Sequence, residues 1–118
     1  MSKTSIDDAE HYRWGERCDG WHLARTSRLS VIQERVPPGA GEVRHYHEHA
    51  EQFFYVLSGV ATMEVDARTH QLRPGEGLHI EAGAAHRLSN QGDADLRFLV
   101  VSVPPSHGDR VAAPLDSP

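Results

Sequence analysis

The sequence predicts an all-β sandwich or barrel. No segment sustains a 3.6-residue apolar period over helical length. Short β-branched and aromatic runs recur instead, each stopped by a glycine or proline turn. Eight to ten such runs fit into 118 residues at close spacing, the pattern of antiparallel strands that fold back on their neighbours.

In chain order, three regions are expected: an N-terminal arm over residues 1–27, a barrel domain over 28–104 and a tail over 105–118. Residues 1–10 are polar and should fray. His11 to Leu23 holds both tryptophans, Trp14 and Trp21, with Tyr12 and Cys18. Rings at this density need a surface to cover, so the arm should dock on the barrel. It serves either as a hydrophobic plug or dimer clasp, or as a substrate mouth lined by Trp21 or His22. Arg28 to Val36 reads as a strand, stopped by Pro37-Pro38-Gly39. Further strands are expected over Glu42 to His47, Gln52 to Leu57, Ala61 to Val65, Thr69 to Leu72 and Leu78 to Ile80. His86-Arg87-Leu88 and Leu96 to Val103 complete the set. The Pro-rich polar tail from Ser106 is expected to lie extended on the surface or to be disordered.

The formal charge is −5 with histidines neutral, and no basic stripe is present, so a nucleic acid is not an expected partner. No apolar run approaches the length of a membrane-spanning helix. The first twenty residues are charged and lack an apolar signal core. Cys18 is the only cysteine and cannot form an internal disulfide. Together these lead to the expectation of a cytoplasmic protein in a reducing compartment.

Nine histidines are many for this length. His45 and His47 are two apart, so on a strand both imidazoles share a face and can converge on one ion. His86, on a short strand after Gly83, is a further candidate ligand. His49 falls in the loop and is expected to be solvated.

These residues resemble the two sequence motifs of the cupins. In the first motif a glycine is followed by five residues and a His-x-His pair; here Gly39 leads to His45-Tyr46-His47. The second runs from Gly75 through Gly83 and His86 to Asn90 at the motif's spacing, with Glu81 where the family has proline. The resemblance covers roughly Val31 to Val103. It implies an RmlC-like double-stranded β-helix, or jelly-roll barrel, and a divalent metal ion: Zn, Fe, Ni, Mn or Cu.

The motif also places an acidic ligand three or four residues after His47 and six before the next glycine. Glu51 satisfies the first spacing, but seven residues then precede Gly59. Gln52 leaves six. The strand is rigid and the loop before it varies, so Gln52 stands where the family carries its acid. The implied ligand set is His45, His47, Gln52 and His86; the alternative is that the three histidines hold the ion alone. Glutamine brings no charge, so the ion would keep about one more positive charge than with glutamate and act as a stronger Lewis acid.

If Gln52 points inward, alternation sends Phe54 and Val56 inward too, and Phe53, Tyr55 and Leu57 outward. A pocket lined by Phe54, Val56, Met63 and Phe98 is expected, suited to a small organic molecule, with Arg97 or Tyr46 as polar contacts. The apolar outer face implies a homodimer including Phe53 or Tyr55, and Trp14. Cupins host many chemistries. The readings are a metal-dependent enzyme of oxygenase (dioxygenase), isomerase or lyase type, a binding or sensing module without turnover, and a storage-type protein.

Overall fold

A computed structural model describes residues 1–114. Within them the chain forms eleven strands and no helix. In order these are β1 (Glu10–Trp14), β2 (Cys18–Arg25), β3 (Ser30–Val36), β4 (His45–His47), β5 (Glu51–Ser58), β6 (Ala61–Val65), β7 (Arg68–Leu72), β8 (Gly77–Ile80), β9 (His86–Ser89), β10 (Leu96–Val103) and β11 (Arg110–Ala112). They build a six-stranded sheet, β1-β2-β3-β10-β5-β8, and a five-stranded sheet, β11-β4-β9-β6-β7, with antiparallel pairing throughout. From β4 onward the chain crosses from one sheet to the other at every connection except the β6–β7 hairpin, which is the jelly-roll weave.

Alternation along the strands makes the core. In β5, Gln52, Phe54 and Val56 are buried while Glu51, Phe53 and Tyr55 are exposed. In β10, Leu96, Phe98, Val100 and Ser102 are buried, and the last three lie directly opposite Val56, Phe54 and Gln52 of β5. Met63 and Leu88 answer them from the other sheet. Burying each of these large side chains stabilises the fold by roughly 1.5–3 kcal/mol. Gly59 makes the turn that aims β5 and β6 at opposite sheets. Its φ is +78°, and a Cβ there would lie 2.5 Å from the Asp95 carbonyl oxygen, so only glycine fits.

Two terminal segments are more ordered than their composition suggests. The arm is part of the sheet: β1 pairs with β2 and β2 with β3. Gly20 makes this possible, because the Tyr12 ring occupies the space where a Cβ would be. Trp14 lies opposite buried Cys18 and packs against the core, with its Nε1 donating to the Asp19 carbonyl at 3.3 Å. It therefore faces inward, on the opposite side of the sheet from Phe53 and Tyr55. In the tail, Arg110–Ala112 pairs with β4, so this stretch is sheet rather than loose surface chain. The Asp109 carboxylate anchors it by accepting the His49 and Ala50 backbone N–H groups at 3.0 and 2.9 Å. The rest of the tail, 115–118, lies outside the described residues.

Candidate metal centre

Three of the four implied ligands come from the five-stranded sheet. His45 and His47 sit two apart on β4, so the pleat puts both on the inner face. His86 on β9 is the direct cross-strand partner of His45. The ring centroids are 4.5 Å apart for His45 and His86, 5.0 Å for His45 and His47, and 5.9 Å for His47 and His86. One nitrogen from each ring lies within 4.8 Å of the others, close enough for one ion. All three side chains are buried.

Backbone carbonyls set the tautomers. His45 Nδ1 lies 2.8 Å from the Val43 carbonyl oxygen, and His86 Nδ1 lies 2.9 Å from that of Ala84. A carbonyl only accepts, so each Nδ1 carries the proton and each Nε2 presents a lone pair. His86 Nε2 is buried and has no hydrogen-bond partner among the described residues, and His47 Nδ1 is in the same condition. Burial pushes the pKa of His45 down to about 3, against the opposing Val43 carbonyl. Burial also lowers His86 and His47, with the His86 ring adding to the effect on His47. Neutral imidazoles are the form a metal requires.

Gln52 enters from the six-stranded sheet and is 7% exposed. Its Nε2 donates to Ser102 Oγ at 3.0 Å, and its Oε1 is buried without a partner among the described residues. An unpaired buried amide oxygen costs about 1–3 kcal/mol unless something binds it. Glu51 points the other way, is exposed, and meets His79 at 2.9 Å. The three clustered histidines fit nitrogen ligation of a divalent ion, and the free Gln52 Oε1 is a neutral oxygen donor.

Phe54, Val56, Met63 and Phe98 are all in the closed core. Of these, Phe54 makes a ring contact with a ligand histidine, at 6.0 Å from His86, and stacks on Phe98 at 5.8 Å. Tyr46 lies between two inward histidines and Arg97 beside inward Phe98, so alternation turns both outward. Neither offers the interior a polar contact, contrary to the expectation. His49 is exposed, as its loop position implies.

Several interior polar groups were not legible in the sequence. Glu34 lies opposite Phe98 and hence faces inward, accepting a 3.1 Å hydrogen bond from Tyr12 Oη. Burial raises its pKa to about 7, and raises that of Glu42, which accepts the Leu88 N–H at 3.0 Å, to about 8. Arg110 lies opposite His47 and offsets both acids. Ser102, which orients Gln52, is found only through register.

The fold and site define a class: a small jelly-roll barrel whose interior carries a buried three-histidine cluster fit for a metal ion. Residues 32–102 match the cupin domain family, and the chain belongs to it. It is 39% identical over 64 residues to protein SchB of Streptomyces halstedii, covering 54% of this chain and 46% of that protein. It is 41% identical over 56 residues to the quercetin 2,3-dioxygenase of Bacillus subtilis, covering 48% of this chain and 17% of the enzyme. The chain thus spans less than half the length of these two relatives. Among solved structures, a sugar phosphate isomerase of the cupin superfamily from Silicibacter pomeroyi superposes with a TM-score of 0.78 at 27% identity, covering 88% of this chain and 76% of that one.

Proposed function

We propose that this protein binds one divalent metal ion through His45, His47 and His86, with Gln52 as a fourth, neutral ligand, and acts on a small organic molecule as a metal-dependent enzyme of oxygenase, isomerase or lyase type. The observation that carries the reading is the convergence of three buried, neutral imidazoles within 4.8 Å, two with their tautomer set by a backbone carbonyl. Bound there, a divalent ion would supply Lewis acidity toward a substrate oxygen. The chain's own groups do the rest. Val43 and Ala84 orient two imidazoles, Ser102 orients the Gln52 amide, and Phe54 keeps water from one side of His86.

The relatives' different activities agree on no reaction, so the metal is the part of this reading tested first. Metal analysis of protein purified from metal-supplemented growth should give close to one ion per chain. Less than about 0.1 ion per chain would overturn the reading. Turnover is then tested by O2 uptake with quercetin and by isomerisation of sugar phosphates. Bound metal with neither activity leaves a binding module.

A homodimer is part of the proposal. The outer face of the six-stranded sheet exposes Phe53, Tyr55, Leu57 and Val103, an apolar group that a second subunit would cover.

A further inference from the structure

A cavity lies on the inner face of β2 and β3, closed by the residues 105–107 that lead out of β10. We propose that it holds the carboxylate of a small organic acid with an apolar body, Arg25 being the charge that grips it. The inference deepens the proposed function by naming a ligand class for the region beside the metal centre, and it rests on that reading only for what happens to the ligand next.

The sequence offers His22 for a substrate mouth but hides Arg25, because the two are three apart and should face opposite sides of a regular strand. A β-bulge between His22 and Ala24 changes the parity. His22 then lies opposite Ile32 and Arg25 opposite Ser30, both on the inner face. Arg25 Nη1 reaches His22 Nε2 at 3.3 Å and Nη2 reaches Glu10 at 2.9 Å. A guanidinium only donates, so His22 Nε2 accepts and its Nδ1 carries the proton. That Nδ1–H is buried and has no acceptor among the described residues.

The rest of the cavity is amphipathic. Ser30 and Ser106 bring hydroxyls and His107 a ring nitrogen, while Ile32, Pro105 and the Tyr12 ring bring apolar wall. Among the described residues Arg25 is the one permanently charged group on the lining, which matches a monoanion better than a phosphate dianion. Its existing partner, Glu10, is solvent-exposed, and such a pair holds by only about 0–1 kcal/mol, so an entering carboxylate can compete for the fork. The cavity is joined to the metal centre by hydroxyls: Ser106 Oγ lies 3.5 Å from Ser102 Oγ, which accepts from Gln52 Nε2 at 3.0 Å. A ligand that engages Ser106 therefore touches the group that orients Gln52.

The test is a titration of the isotope-labelled full-length protein with benzoate, followed by amide NMR, as purified and again after metal chelation. Benzyl alcohol serves as the neutral control. Benzoate should shift Ser30, Ile32, Ser106 and His107 in both preparations, and benzyl alcohol should not. Arg25→Gln should weaken benzoate about threefold, and Ser106→Val, on a different element, should weaken it as well. Shifts confined to the metal-loaded preparation, no shifts at all, or unchanged affinity in both variants would overturn the proposal. A chain that binds benzoate but no metal would defeat the metal reading and leave this one standing.

Discussion

Replacing Gln52 by glutamate tests the metal centre with almost no change of shape. The side chain is 7% exposed, donates to Ser102 and leaves Oε1 unpaired. A carboxylate in its place adds one negative charge at that oxygen. At an effective dielectric of about 20 and a ligand distance of about 2.1 Å, its attraction to a divalent ion is about 16 kcal/mol before any cost. Desolvation of the carboxylate and loss of the amide's ion–dipole attraction together offset most of this. A net gain on the order of 1–3 kcal/mol remains, about ten- to hundredfold in affinity. Without metal the same charge is buried beside a single hydroxyl, and the variant should lose about 1–3 kcal/mol of stability. The assay is competition against a fluorescent zinc chelator, with thermal unfolding in EDTA and in excess zinc. The variant should melt below wild type in EDTA, and zinc should raise its melting temperature by more. A folded variant with unchanged zinc affinity would refute Gln52 as a ligand and leave the three histidines alone.

Further outcomes follow from the same geometry. His86→Ala should abolish stoichiometric metal binding, while His107→Ala, outside the histidine cluster, should retain it; metal content after dialysis reads both. Glu34→Gln should remove an alkaline weakness. A carboxyl whose pKa rises from 4.5 to about 7 on folding contributes stability that is complete below about pH 4.5 and lost as pH rises through 7. Allowing for partial solvent access, the variant should gain about 1–2 kcal/mol over wild type at pH 8.5 and nothing at pH 4, measured by urea unfolding. Phe53→Glu on the outer face should convert the proposed dimer to a monomer in light scattering, and a wild-type monomer at micromolar concentration would defeat the dimer.

Much of the barrel was legible because strand alternation and turn chemistry are local. The segment Ala61–Val65 and the run Leu96–Val103 are strands with the expected ends. Period-two alternation, with spacing to Gly59, puts Gln52 inside and Glu51 outside, as the structure places them. The arm and the tail were less legible. Tyr12 and Trp14 marked the arm as docking, but the close seat of β1 on β2 depends on the missing Cβ of Gly20, whose space the Tyr12 ring fills. The short β11 strand has almost no intrinsic signal and exists because β4 offers it an edge.

The sequence by itself determined the fold class, the inner and outer faces of β5, and the residue types of the metal centre. Those follow from chain periodicity and from chemistry carried by single residues. Tertiary structure alone decided which groups meet: His86 against His45, Ser102 behind Gln52, Glu34 under Tyr12, and Arg25 beside His22. Each of these depends on the register between strands distant in sequence, and at Arg25 on one bulge. A one-residue change in register turns a side chain to the opposite face, so no local pattern could have specified them.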